Sequence, residues 1–135
     1  MAYTRDELRA KLIENAAEIN RLHSRIHEAL RDESDLDRRK WLQACSDMHT
    51  RYEELCLPGG PYPDFHDRIL AGEPDIIEVA LCFLEVRPYF FRSGYHWKTI
   101  LKKCKRAPMS AEQSKRFQVL LEKYEQWRVR RRKKM

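Results

Sequence analysis

The side chains best suited to chemistry are histidines and cysteines that recur four positions apart in the first half of the chain. His23 and His27 form one pair, and Cys45 and His49 form another. Residues four apart share one face of a helix, and imidazole and thiolate groups are ligands that zinc prefers. A mixed His/Cys metal site, or a Cys–His nucleophile, is therefore one hypothesis for this part of the chain.

The sequence around these pairs lacks the other groups that either chemistry needs. A nucleophile requires an orienting third group and donors aimed at an oxyanion, and zinc sites carry recognisable ligand spacings. His66 and His96 stand apart from such motifs, and Gly59-Gly60 lies between prolines rather than in a phosphate-binding loop. A small enzyme or metal protein is thus the weakest hypothesis, and we expect no catalytic residue, no metal and no cofactor.

The elements that would position these side chains begin with a capping box at Thr4–Glu7. Behind it, apolar residues and one histidine recur at alternating steps of four and three, which is typical of a helix that packs along a partner helix. These positions are Leu8, Leu12, Ala16, Ile19, His23, Ile26 and Leu30. The partner is either the next helix or a second copy of the chain, so the oligomeric state stays open.

A second helix is predicted to begin at Ser34, with a hydroxyl cap and acidic residues in its first turn. The same rhythm returns at Trp41, Cys45, Met48, Tyr52 and Leu55. Two long helices joined by a short polar link should fold back as an antiparallel hairpin.

Prolines and glycines then divide the rest of the chain. The segment after the hairpin cannot continue a helix, Pro74 suits the first turn of a new one, and residues 76–86 are apolar nearly all round, which is typical of a central helix. We predict an all-α protein of about six helices, a hairpin packed on a compact bundle. As one domain over 1–135, it comprises a hairpin (4–57), a connector with a short helix (58–73), a bundle (74–128) and a basic tail (129–135).

Charge is unevenly distributed along the 135 residues, whose formal net charge is +6. Residues 92–135 carry 15 lysines and arginines against 3 acidic residues, a net +12, whereas residues 58–91 carry 2 against 6, a net −4. Such asymmetry concerns binding partners and solubility rather than fold. The basic last third is therefore the strongest functional signal in the sequence.

Aromatic residues are interleaved with these cations, which suits two kinds of partner. Cations neutralise phosphates while aromatic rings stack on bases, and Tyr, Trp and Arg are equally good anchors for an acidic protein surface. In a third interpretation the rings are core and the cations are only solvated. The candidate partner-binding residues are Arg92, Tyr95, His96, Trp97, Lys98, Lys102, Lys105, Arg128, Arg130 and Arg131.

The stretch Phe83–Tyr95 contains the sequence Phe-Phe-Arg-Ser-Gly-Tyr, followed by a Lys/Arg-rich turn and Ser110-Ala111-Glu112-Gln113. Over about residues 80–125 the chain resembles a group of small uncharacterised bacterial helical proteins. The resemblance carries no assigned chemistry and implies no catalytic residue. Proteins of this kind look like products of toxin–immunity loci, in which one subunit binds and neutralises a toxin domain. Within the corner, we expect Gly94 to permit an unusual backbone angle, the aromatic rings to pack, and Arg92 to pair with an acid such as Glu85.

Our leading hypothesis is a non-catalytic immunity or adaptor protein that occludes an acidic or nucleotide-binding cleft on a partner protein. The alternative is an RNA- or DNA-binding protein that uses the same basic face. No apolar run approaches the roughly 18 residues of a membrane span. With no export signal and widely spaced cysteines, we expect a cytoplasmic location with reduced thiols.

Overall fold

A computed structural model of the chain describes residues 3–30 and 35–133, with the side chains of 35–37 left aside. Within these ranges the protein is all-helical and contains no strand, which confirms the predicted class. The six helices are α1 (Arg5–Leu30), α2 (Asp35–Cys56), α3 (Phe65–Leu70), α4 (Pro74–Val86), α5 (Ser93–Arg106) and α6 (Ala111–Lys133). None of the described helices is long and apolar enough to cross a membrane.

Helices α1 and α2 form the predicted hairpin. The Thr4 hydroxyl accepts a hydrogen bond from the Glu7 amide, and the Glu7 carboxylate accepts one from the Thr4 amide, both at 3.2 Å. The capping box that begins α1 is therefore confirmed. The Ser34 cap predicted for α2 lies outside the described residues. Arg51 pairs with Glu18 and Arg25 pairs with Asp47. Since the partner number on α2 falls as that on α1 rises, the two helices are antiparallel.

The set of core-facing residues predicted for α1 is correct in the first half of the helix and is displaced by one position in the second half. Leu8, Leu12, Ala16 and Ile19 are buried, but the next fully buried residue is Leu22 rather than His23. Leu30 is exposed. The sequence contains a leucine next to a histidine at this point, and the helix turns its more apolar side chain toward the core.

Helix α4 is the central element, as its nearly uninterrupted apolar sequence predicts. Eight of its 13 residues are buried, and it packs against α1, α3, α5 and α6. Pro74 occupies the first turn, where its missing amide hydrogen leaves no bond unmade. Before it, Gly72 has a φ of +78°, and a Cβ there would lie 2.6 Å from Pro108 Cγ. Glycine is therefore required where the α3–α4 turn meets the α5–α6 turn.

Two carboxylates interrupt the apolar surface of α4, and arginines from both ends of the chain neutralise them. The guanidinium of Arg116 on α6 donates hydrogen bonds from one terminal nitrogen to the Glu78 carboxylate at 2.7 Å and from the other to the Glu85 carboxylate at 2.6 Å. Arg5 of α1 pairs with Glu78 at 2.7 Å, and Arg9 pairs with Glu85 at 3.2 Å. We call these five residues the α4 ion network. It joins the first and last helices through the central one.

Removing Arg116 should destabilise the protein strongly, because its side chain is only 13% exposed and its loss leaves two carboxylates short of a cation. For Arg116→Ala we expect a loss of about 3 kcal/mol in the free energy of unfolding, measured by chemical denaturation. The exposed neighbour Lys115 serves as the control, and Lys115→Ala should change stability by less than about 0.5 kcal/mol. Equal losses in the two variants would contradict this role for the network.

Candidate partner-binding face

Helix α5 presents one continuous exposed face. Its N-cap Arg92 and the side chains of Tyr95, Lys98, Lys102 and Lys105 follow each other at steps of three and four, and all five are exposed. We call these five residues the α5 stripe. The Arg92 guanidinium lies 5.5 Å from the Tyr95 ring centre. In the part of the chain that the structure describes, none of the four cations has a carboxylate within ion-pair distance. The stripe is therefore an uncompensated positive surface.

Trp97 does not belong to this surface, although the sequence offered it as a partner-binding residue. Its side chain is only 4% exposed, and its indole nitrogen donates a hydrogen bond to the Leu84 carbonyl at 3.0 Å. This carbonyl lies in the last turn of α4, where backbone acceptors lack helical partners. Trp97 thus acts as core and as a cap for α4, which matches the interpretation of this ring as a core residue.

The corner between α4 and α5 differs from the expectation in two respects. Gly94 lies inside α5 without a positive φ, and the left-handed residues are Arg87 (φ 49°) and Arg92 (φ 66°). Arg92 does not pair with Glu85, whose carboxylate pairs with Arg9 and Arg116. Instead the Ser93 hydroxyl closes the corner by accepting the Phe90 amide at 3.0 Å. The predicted glycine angle and the predicted Arg92–Glu85 pair were therefore both wrong.

His96 faces the hairpin rather than solvent. Its Nε2 lies 3.1 Å from the Tyr52 hydroxyl, which donates its proton to the Phe91 carbonyl at 2.5 Å. Burial first, and then the charge of Arg92, lowers the pKa of His96 below its ordinary value of 6.5. His96 thus anchors the corner to α2 as a neutral ring.

A groove of about 540 Å³ opens between the hairpin and this corner. Phe91 and Arg92 form one side, and Ile26, Met48 and Tyr52 contribute to the other. Two further aromatic rings beside it are strongly exposed, Tyr89 at 87% and Tyr95 at 62%, and Phe91 is itself 50% exposed. Exposed apolar patches are a feature of binding surfaces.

The histidine and cysteine pairs contact neighbouring rings or line the groove. The His23 ring stacks on Phe91 with centres 5.1 Å apart and meets the His27 ring edge-on at 4.6 Å. Cys45 and His49 line the groove on α2. Among the described residues, no three His, Cys, Asp or Glu side chains are grouped so as to hold a metal ion.

The remaining thiols are not activated as nucleophiles. Burial raises the pKa of Cys56 to about 11 and that of Cys104 to about 12, and it also raises the pKa of Cys82. A reactive cysteine needs the opposite shift, because the thiolate is the attacking species. These three cysteines therefore behave as small apolar core residues.

The basic end of the chain continues as helix rather than leaving the fold. Helix α6 runs to Lys133, and Arg128, Arg130 and Arg131 lie on its last turns. The predicted basic tail is thus helical over 129–133. Arg131 lies over the Trp127 ring at 5.2 Å and Arg128 lies over Tyr124 at 5.8 Å, whereas Arg130 lies on another side of the helix beside Glu122 and Glu125.

The chain matches no family model, no curated protein and no solved structure.

The lowered pKa of His96 predicts a pH dependence of stability. Because the folded state favours the neutral ring, protonation of His96 opposes folding. The contribution of this shift to stability is fully present above the ordinary pKa of 6.5 and is lost as pH falls through the lower pKa of the folded state. His96→Gln should remove part of this loss, as measured by urea denaturation between pH 7 and pH 5.

His66 shows a pKa shift of the same sign and should retain its own share in that variant. The control is His49→Gln, at an exposed position, which should leave the acid-induced loss at its wild-type size. An unchanged acid-induced loss in His96→Gln would contradict the assignment.

Proposed function

We propose that the protein is a non-catalytic binding protein of the immunity or adaptor kind, which engages an acidic surface of a partner protein, such as a toxin domain. The α5 stripe is the observation that carries this proposal. It supplies four uncompensated cations along one helix face, with the exposed Tyr95 among them. Arginine, tyrosine and other aromatic residues are enriched at the energetic centres of protein interfaces.

A protein partner is favoured over nucleic acid by the apolar part of the same surface. Tyr89 and Phe91 are exposed next to the stripe, and the 540 Å³ groove behind Phe91 is lined by Ile26 and Met48. An apolar side chain of a partner fits such a groove, whereas a phosphate backbone gains nothing from it. Contacts to a nucleic-acid duplex are dominated by charge and by polar groups.

The chemistry of the interior supports a binding role over an enzymatic one. The His23 ring stacks on Phe91, and the thiols of Cys56, Cys82 and Cys104 are held protonated by burial. The stripe itself contains no nucleophile and no carboxylate for acid–base catalysis.

Affinity capture from the native cell extract, with and without nuclease, tests the class of partner. We expect one acidic protein to remain at near-equal stoichiometry after nuclease treatment. Lys102→Glu should abolish this capture, because a reversed charge on the stripe repels an acidic surface. Lys123→Glu makes the same charge change at an exposed position of α6 outside the stripe, and should leave capture intact.

Tyr95→Ala probes the aromatic anchor once the partner is purified. We expect a loss of about 2 kcal/mol in binding free energy by calorimetry, because exposed aromatic anchors carry much of an interface's energy. Circular dichroism should show an unchanged fold, since the Tyr95 ring lies outside the core. Loss of the captured material after nuclease treatment, or equal capture by the Lys102→Glu and Lys123→Glu variants, would overturn the proposal.

A further inference from the structure

Another concave surface lies between α5 and α6, both of which pack against α4. It is a groove of about 320 Å³, and its aromatic lining is Tyr124 and Trp127. Its other lining residues are all cations: Arg87, Lys98, Arg128, Arg131 and Arg132. Among the described residues no acidic side chain lines it, which distinguishes it from the larger mixed-charge depression between α1 and α2.

Arg87 contacts more aromatic rings than any other of these cations. Its guanidinium carbon lies 4.7 Å from the ring centres of both Trp97 and Trp127, and 5.9 Å from that of Tyr124. Rings on a guanidinium fix its plane and leave the N–H donors at its edge. In the described part of the chain, the Arg87 side chain has no carboxylate or hydrogen-bond acceptor of its own. Its donors are therefore positioned for a group outside the protein.

Two of the other four cations also lie over aromatic rings. Arg131 lies over Trp127 at 5.2 Å, and Arg128 lies over Tyr124 at 5.8 Å. Of the five, only Arg128 has a carboxylate neighbour, Glu125, at 3.5 Å within the described chain. Stacking restrains these side chains without neutralising them, so less entropy is lost when they bind an anion.

We propose that this groove binds a compact polyphosphate, the phosphoryl chain of inorganic tripolyphosphate or of a nucleoside triphosphate. Five cations around one small cavity call for several negative charges close together, and guanidinium groups bind phosphate oxygens in a bidentate fashion. The volume lies at the small end of the roughly 300–1,000 Å³ typical of ligand sites, which suits a short chain of phosphates.

This proposal does not depend on the protein partner of the α5 stripe. Lys98 belongs to both surfaces, so it is left unchanged in the tests. Arg131 belongs to the groove alone, and its neighbour Arg130 belongs to neither.

Calorimetric titration with tripolyphosphate and with ATP at about 0.15 M ionic strength, where charges more than about 8 Å apart are largely screened, tests the site. Tryptophan fluorescence gives a second readout because Trp127 lines the groove. We expect Arg131→Gln to weaken tripolyphosphate binding about tenfold, through the loss of one charge-assisted contact. The matched control Arg130→Gln removes the same charge from the same turn of α6 and should change affinity by less than about twofold.

Arg87→Lys adds a test that keeps the net charge. Lysine lacks the planar fork of arginine, so we expect severalfold weaker tripolyphosphate binding with circular dichroism unchanged. Equal affinities for ATP and tripolyphosphate would show that the phosphoryl chain suffices, and tighter ATP binding would show an added contact from the nucleoside. Absence of saturable binding of both compounds, or equal weakening by Arg130→Gln and Arg131→Gln, would overturn the proposal.

Discussion

Glu78 and Glu85 lie on the central helix α4, where a carboxylate without a cation would cost the fold much of its stability. Arg116 from α6 bridges the two acids, and Arg5 and Arg9 from α1 approach them from the other side. Because an ion pair of this kind tolerates little displacement, the need to neutralise two acids determines how the first and last helices lie on α4. The position of α6, and of its basic end, follows from this constraint.

The same constraint separates the arginines into two groups with different partners. Arg5, Arg9 and Arg116 are neutralised by acids around the core. Arg87 and Arg131 rest on aromatic rings and keep their charge available. The acidic middle of the chain thus compensates the core arginines and leaves the α5 stripe and the end of α6 strongly positive. This division explains how a chain of modest net charge presents a concentrated basic surface.

Local sequence signals were sufficient for most of the architecture. The capping box at Thr4, the proline that begins α4 and the apolar run of residues 76–86 each depend on neighbours a few positions away, and each was confirmed. A pattern could not decide between Leu22 and His23, because both fit a seam that drifts slowly around a helix.

The candidate site was predictable only in part, because its key contacts join distant residues. The stripe follows from helical spacing, but the burial of Trp97 depends on the Leu84 carbonyl, and the stacking of Arg87 on Trp127 spans 40 positions. The Arg92–Glu85 prediction failed for the same reason: arginines from α1 and α6, invisible from the local sequence, already held that carboxylate. Sequence spacing therefore predicted the basic face but not the long-range contacts that hold its side chains in place.

The last two turns of α6 place Arg128, Arg130, Arg131, Arg132 and Lys133 together on one short length of helix. Cations favour the C-terminal end of a helix dipole, but like charges three and four residues apart repel. With few core contacts beyond Trp127, this segment owes its helical form to the balance of these effects and to stacking on that ring. Because dissolved salt screens the repulsion between like charges, we expect the helical form of this segment to be more stable at high ionic strength than in dilute buffer.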